Sequence, residues 1–535
     1  MSFTRIALIC AAIAAVVLAL TPANADPWKQ IEEGRLAVAR DDHGAAIAAF
    51  RLAAEEDPAL GDTVAVALAS QLTWIGRYDE AIAEFTRYLE RHPRQIDAMM
   101  TLALAQSWSN RVKDALGTYR RVVALEPDNR DAAFGAARML SWSGQLDASI
   151  RAYDALLKRE PDFTDAAVAR AHVVNWRGDH RRAAGLFTEV LQTQPASPPA
   201  LEGRAAAWNW AGRPDRALAD LAEVKRQGPT GRDAIGLERA IRMAWSPGAT
   251  VGVDLSRDSD SFQNLTTRLD EEIPVALRAR VHVSMVRGSY EKPKRPTVED
   301  LWVGLNGEAR LSDAFMVYGN GQLLAHRPTG VSGTRGTGDA HLAWLPHDRI
   351  RVDAGYGRAG IFTYERSPDG TARYVDADLF DLGVSVRPYW RSTLTLTLDR
   401  GFYSDGNERL NARARIRQTL LSKPRLCFEV GGQWLNFEKD LDRGLWTPRG
   451  FRSYLVAPEA EWNPRPWILL FGRIDMGHAG DRASKVIPYL TSSAGIRIER
   501  GVLRFELRGG RADSNVETGR GYRRSFASLL LRVRL

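Results

Sequence analysis

From Trp74 to Pro229 the chain copies itself every 34 residues. Tryptophan recurs at Trp74, Trp108, Trp142, Trp176 and Trp210, and proline at Pro93, Pro127, Pro161, Pro195 and Pro229. A small residue keeps the step at Ala69, Ala103, Ala137, Ala171 and Ala205, and another at Ala81, Ala115, Ser149, Ala183 and Ala217. Large residues keep it at Phe85, Tyr119, Tyr153, Phe187 and Leu221. A period of this length is one supersecondary unit repeated, and each unit buries its apolar face only against its neighbours. The small positions let two helices cross closely, the large residue fills the gap between them, and proline starts the link to the next unit. Gly76, Asn110, Gly144, Gly178 and Gly212 stand where the first helix of each unit ends and a left-handed residue is needed.

Small, aromatic and proline positions in this order form the tetratricopeptide repeat. A degenerate unit near Gln30–Pro58 precedes the others, giving about six repeats, and Arg232–Trp245 reads as a closing helix. The five periodic tryptophans are expected to pack as core at the ends of the first helices. Trp208 lies off the 34-residue register and is the candidate for a ring left open to stack on sugar.

Beyond the repeats the period changes from helical to two. The run Leu410-Asn411-Ala412-Arg413-Ala414-Arg415-Ile416-Arg417 and, after a short turn, Leu426-Cys427-Phe428-Glu429-Val430 place apolar residues on alternate positions. Each run is a strand with one apolar and one polar face. Sixteen such runs fit between 249 and 534. Their connections alternate short, as at Glu271–Pro274, Leu311–Ala314 and Leu421–Pro424, with long, as at 326–335 and 438–449. Single-chain outer-membrane barrels have this rhythm, and a water-soluble sandwich has no reason for it. In a barrel the apolar set faces lipid. The polar set then lines a lumen and includes Arg278, Arg280, Glu308, Arg310, Arg413, Arg415, Arg417, Glu429, Glu459, Glu461, Arg504, Glu506 and Arg508. An alternative for any one of these charges is a wall-stiffening ion pair. Alternation is lost near 375–388 and 466–478.

The first 25 residues read as a secretory signal: Arg5, then the apolar run Ile6–Leu20, then Ala23-Asn24-Ala25. The expected organisation is a signal peptide over 1–25, an all-α repeat solenoid over 26–245 and an antiparallel transmembrane barrel of about sixteen strands over 246–535. Cys427 is then the only cysteine of the mature chain, so no intrachain disulfide framework is possible. Segment 26–245 carries 29 basic and 31 acidic residues, and segment 246–535 carries 43 and 34. The whole positive excess lies in the barrel segment, where lipopolysaccharide, solvent or the lumen must receive it. Export from the cytoplasm argues against nucleic acid as the partner. There is no nucleophile elbow, no zinc-protease motif and no histidine pair at metal spacing, so no enzyme, cofactor or metal is expected.

A signal peptide, a tetratricopeptide array and a C-terminal barrel together resemble the exopolysaccharide export proteins. These are the outer-membrane subunit of cellulose synthase, the poly-N-acetylglucosamine export porin, the Pel export protein and the YaiO-type barrels. The segment Gly444-Leu445-Trp446-Thr447-Pro448-Arg449-Gly450-Phe451-Arg452-Ser453-Tyr454 resembles a stretch that cellulose-type exporters carry before a late strand. This chain has fewer repeats than the large exporters, and it ends on Leu535 where such barrels usually end on an aromatic residue. The resemblance implies a Gram-negative outer-membrane conduit. Its repeats would face the periplasm and contact an inner-membrane glycosyltransferase, a glycan-modifying protein or the polymer. A non-conducting anchor whose repeats scaffold envelope proteins is the alternative. Inward Arg413, Arg415 and Arg417 lead to the expectation of a neutral or anionic polymer.

Overall fold

The computed structural model describes residues 26–228, 231–259, 261–293, 297–326, 335–364, 372–389, 391–439, 447–482, 486–514 and 522–535. The expected signal sequence, Pro229 and Gly444–Trp446 lie outside the described residues. The chain divides into two compact units, one ending at Val173 and one running from Val174 to Leu535. This division falls inside the helical segment, not at 245/246, so the last helices group with the sheet.

The first unit holds α1 (Pro27–Ala39), α2 (His43–Glu56), α3 (Gly61–Trp74), α4 (Tyr78–Arg91), α5 (Ile96–Trp108), α6 (Val112–Leu125), α7 (Arg130–Trp142), α8 (Leu146–Arg159) and most of α9 (Thr164–Trp176). The second unit opens with α10 (His180–Thr193), α11 (Pro198–Trp210), α12 (Pro214–Gln227) and α13 (Arg232–Ala244). These are six helix pairs and a closing helix. Every periodic small residue and every periodic large one is buried. Gly76, Asn110, Gly144, Gly178 and Gly212 all have positive φ, as the helix-ending turn demands. At Gly135 and Gly203 a Cβ would strike the rings of Tyr119 and Phe187, so the aromatic of one unit occupies the space beside the next helix.

The periodic tryptophans depart from expectation. Trp74, Trp108, Trp142, Trp176 and Trp210 are 58, 41, 48, 53 and 69% exposed. The buried face of the first helices is filled by alanines and larger residues such as Leu68, Met99, Met139 and Leu201, and the ring at the helix end projects outward. Trp208 is the half-buried one. It packs with Ala205, Ala217, Leu221 and Ile241, and the Arg216 guanidinium lies 4.5 Å over its ring. Its face is taken, which corrects its candidacy as an open stacking platform.

Strands β1 (Gly248–Asp258), β2 (Gln263–Ala276), β3 (Ala279–Glu291), β4 (Val298–Arg310), β5 (Phe315–His326), β6 (Gly336–His347), β7 (Ile350–Tyr364) and β8 (Ala372–Tyr389) form the first half of the sheet. The second half is β9 (Ser392–Tyr403), β10 (Glu408–Ser422), β11 (Arg425–Phe437), β12 (Phe451–Arg465), β13 (Ile468–Gly480), β14 (Ile487–Arg500), β15 (Leu503–Ser514) and β16 (Tyr522–Arg534). Each pairs antiparallel with its sequence neighbours, and β1 closes on β16 from Gly248↔Arg534 to Asp258↔Arg524. At one end the connections are short, such as 277–278, 348–349 and 423–424; at the other they run up to the stretch 438–450.

One short connection was misplaced by sequence. The acidic run Asp270-Glu271-Glu272 stays inside β2, and the turn falls at Leu277-Arg278. Glu272 remains in the strand because its carboxylate is buried among Arg280, Arg532 and Arg534, while Pro274 sits at a register shift that spares the ladder. Alternation fades near 375–388 because inward Val375, Ala377 and Leu379 are apolar: they join a buried cluster with Tyr403, Leu435, Phe437 and Phe451.

The outward face identifies the surrounding solvent. Val251, Leu269, Val283, Leu305, Leu396, Leu398, Val430, Leu507 and Leu531 stand exposed on it. Exposed Phe315, Trp344, Tyr389, Trp462 and Trp467 band it toward the short turns, and Tyr356, Phe380, Phe402, Trp434 and Tyr454 band it toward the loops. Two aromatic girdles around an apolar belt are what a lipid bilayer selects. Arg257, Arg452 and Arg523 project outward near the loop end and take part of the barrel's positive excess, while Arg287 and Arg400 there pair with Glu299 and Glu408. The closed barrel points to an outer-membrane protein.

Replacing Leu396 by arginine should therefore destabilise the bilayer-inserted barrel by about 2–4 kcal/mol. Its inward neighbour Thr397 should accept arginine with a much smaller loss. Urea unfolding from lipid vesicles, followed by heat-modifiable gel migration, measures both.

Candidate functional site: the barrel lumen

Cross-strand partners share a face, so the register carries one set of side chains around the whole inner wall. Along one row Thr397 pairs Arg413, which pairs Gln433, which pairs Ser453. Along another, Glu308 pairs Tyr318, which pairs His341. Of the residues expected to line the lumen, Arg280, Glu308, Arg413, Arg415, Arg417, Glu429, Glu459, Glu461, Arg504, Glu506 and Arg508 lie on this face. Arg310, two residues on from Glu308, shares it by register, and Arg278 does not. Arg278 occupies the β2–β3 turn, its Nε 4.0 Å from Asp215. Arg310 is turned toward the helices, donating to the Ser312 and Asp313 carbonyls and lying against Gly212.

Most inward arginines are neutralised where they stand. Arg417 donates to Glu459 at 2.6 Å, Arg473 reaches Glu429 at 3.0 Å and Glu459 at 3.4 Å, and Arg415 is 3.7 Å from Glu429. Arg425 pairs with Glu461 at 3.1 Å, Arg497 with Glu506 at 2.7 Å and Arg504 with Glu499 at 3.0 Å. Arg508 donates to Ser493 at 3.1 Å. Near the short-turn end, buried Glu272 gathers Arg280 at 2.8 Å, Arg534 at 3.0 Å and Arg532, and Arg280 also pairs with Glu308 at 2.6 Å. Among the described residues Arg413 is inward, exposed and without a partner. The arginine stripe is therefore present, and most of its members take the wall-stiffening ion pair that was the alternative for each of these charges. Unpaired arginine in a confined space loses hydration that only a carboxylate replaces.

The short-turn mouth carries a collar from the last two helix pairs. Asp348, in the β6–β7 turn, accepts from the Arg181 backbone N–H at 2.6 Å and from Arg181 Nε at 2.7 Å. It thus caps the N-terminus of α10, a task that Asp179 at the capping position does not perform. Asp179 is freed to hold Arg349, with Nη2 at 2.9 Å. One repeat on, Asp313 in the β4–β5 turn accepts from Arg213, and from Arg216 at 3.2 Å, at the start of α12. Trp245, just past α13, stacks 4.3 Å over Arg280. Sequence reasoning missed this collar because Arg181 and Asp348 are 167 residues apart. A faint signal existed: of the short turns as the structure bounds them, only those holding Asp313 and Asp348 contain an acid.

The electrostatics of the collar follow from its pairs. The hydrogen bond from Arg213 holds Asp215 below the usual carboxylate range against the opposing effect of burial. Burial alone would raise Asp313, but the hydrogen bond and charge of Arg213, helped by Arg216 and Arg310, outweigh it and lower it. Burial keeps the His180 imidazole below its ordinary value.

Residues 109–172 and 177–232 each match a tetratricopeptide repeat family. No curated protein matches the chain in sequence. Among solved structures it is similar to a tetratricopeptide repeat protein from Parabacteroides merdae, at 20% identity and a TM-score of 0.39 over 41% of this chain and 86% of that one. It is also similar to a bacterial polysaccharide outer membrane secretin, at 12% identity and a TM-score of 0.45 over 54% and 99%. A thermophilic repeat protein of Thermus thermophilus aligns at 22% identity and a TM-score of 0.29 over 34% and 99%.

Loss of the cap in Asp348→Ala should lower hydrogen-exchange protection of the first turn of α10 by about 1–2 kcal/mol, with Asp348→Asn in between. The Asp313 and Asp215 carboxyls are lowered from 3.8 in the folded chain. Their stabilisation is complete above roughly pH 5 and is lost as pH falls below about 4 through the folded-state value. Protection at the start of α12, corrected for intrinsic exchange, should drop over that acid window and stay flat from pH 6 to 8.

Proposed function

We propose that this protein is an outer-membrane conduit for an exopolysaccharide, with its repeats in the periplasm, where they contact the synthesis machinery or the polymer. One observation carries the reading: the inner wall is hydrogen-bonding and nearly charge-balanced, from Glu272 and Arg280 at the short-turn end to Ser453 and Gln433 toward the loops. A polymer moved without ATP needs a passage that orients it and never holds it tightly. Hydroxyls, amides and internally satisfied ion pairs offer many weak contacts of similar strength. A wall of unpaired arginines would instead bind an anionic chain like a counterion. The balance favours an uncharged polymer.

The collar supports the same reading. It ties the last repeats to the barrel mouth through Asp348 and Asp313, so a partner engaged by the repeats would be held near the lumen entrance. The exposed tryptophans of the repeats offer contact surface for the synthase, a glycan-modifying protein or the growing chain. A second reading, a closed barrel serving as an anchor for an envelope scaffold, is favoured by the buried inward cluster of Tyr403, Leu435, Phe437 and Phe451.

Purified protein in planar bilayers should show steady conductance with little preference between cations and anions. Arg413→Glu, which alters the inward arginine without a partner among the described residues, should move the selectivity toward cations. A bilayer-inserted barrel that passes no current would reject the conduit and favour the anchor. Deleting the gene should abolish surface polysaccharide while leaving polymerisation at the inner membrane intact.

A further inference from the structure

We infer that the lumen wall between β3 and β8 contains a sugar subsite that takes a segment of uncharged hexopyranose; the inference rests on the conduit reading and gives it a substrate class. The side chains there line an open recess of about 380 Å³. Its lining includes Tyr290, Asp300, Trp302, Asn320, Gln322 and Asp339. Every one of them is on the inner face by register. The volume is in the range of pockets that hold small ligands.

Asp300 is buried, and among the described residues no arginine pairs with it. It accepts from the Gly288 backbone N–H at 3.1 Å and from Trp302 Nε1 at 3.1 Å, and the Tyr290 hydroxyl donates to it as well. A carboxylate used this way fixes the orientation of two rings. Many lumenal acids, such as Glu459, Glu429 and Glu506, serve arginines; this one serves an aromatic pair. Across the cavity Asn320 and Gln322 lie on the same strand face, and Asn320 Nδ2 donates to Asp339. Inward Gly357 leaves the floor open, since a Cβ there would meet the Asp339 side chain at 3.0 Å.

These groups match the two faces of a pyranose. Its C–H face is apolar and suits an indole or phenol ring. Its neighbouring hydroxyls are donors and acceptors at fixed spacing, which a planar amide or carboxylate meets with two atoms at once. Charge then selects among sugars. The basic residue in the lining is Arg358, which projects to the outer face by register and lies 4.0 Å from Asp376. Asp300 and Asp339 would repel a uronate, sulfate or phosphate. The lumenal arginines Arg413 and Arg415 belong to β10, outside this wall.

Calorimetry on the full chain in detergent micelles tests this with cellohexaose, maltohexaose, chitohexaose, an oligogalacturonate and a fully deacetylated chitosan hexamer. At least one of the three uncharged hexamers should bind, tenfold or more tighter than either charged oligomer. Trp302→Ala should weaken that binding at least tenfold, and Trp302→Phe, which keeps a ring, should recover most of it. Gln322→Ala, which leaves both rings in place, should weaken it several-fold; heat-modifiable migration verifies that each variant is folded. Binding by none of the uncharged hexamers, unchanged binding in Trp302→Ala and Gln322→Ala, or preference for a charged oligomer would overturn the subsite. The conduit fails separately: a barrel that binds sugar but passes no current loses the conduit and keeps the subsite.

Discussion

Pairing of β1 with β16 is the interaction on which the second unit depends. A strand edge facing hydrocarbon would leave its N–H and C=O groups with no partner, at several kcal/mol each. Closure removes the edge, and with it any freedom in where side chains point. Once the sheet is closed, every residue faces either lipid or lumen, and its neighbour faces the other. A one-residue slip on any strand would place arginine in the bilayer and leucine in the channel. The parity of Leu396 and Thr397, or of Ile416 and Arg417, follows from backbone hydrogen bonding before any side chain is considered.

Closure also explains why the lumen is full of ion pairs. Inward positions need polar residues, and a confined space hydrates charges poorly, so carboxylates accompany arginines strand by strand: Glu459 beside Arg417 and Arg473, Glu272 beside Arg280, Arg532 and Arg534. The pairs brace the wall from within. They also leave small regions where other chemistry stands out, such as Asp300 with its two rings. At the short-turn mouth the same pairing rule joins helix to strand, since Asp348 satisfies a backbone N–H of α10 that the helix itself leaves open.

Much of this was legible along the chain. The 34-residue repeat located the helix pairs, their buried alanines and the left-handed turns at Gly76, Asn110, Gly144, Gly178 and Gly212, because those features depend on contacts within one unit or with the next. Sixteen alternating runs and the rhythm of their connections were enough for the barrel. The turn wrongly expected at Glu271–Pro274 shows the limit: an acidic run and a proline look like a turn when the arginines that bury Glu272 are as far away as Arg532 and Arg534. The tryptophans show another. Periodicity says that Trp74, Trp108, Trp142, Trp176 and Trp210 occupy equivalent places, and it does not say whether that place is inside or outside.

The sequence by itself determined which residues repeat and which alternate, and so the two architectures and the polar character of the inner wall. Local hydrogen bonding and side-chain period are properties of neighbours in the chain, so they leave a trace in order and spacing. Tertiary structure alone decided which charges survive unpaired and which surfaces meet. It placed Glu459 between Arg417 and Arg473, tied Arg310 to the Ser312 and Asp313 carbonyls, set Asp348 on the start of α10 and brought Tyr290, Trp302, Asn320 and Asp339 around one cavity. Net charge sums over residues regardless of position, whereas an electrostatic field depends on the few ångströms between partners, and those distances exist only in the folded chain.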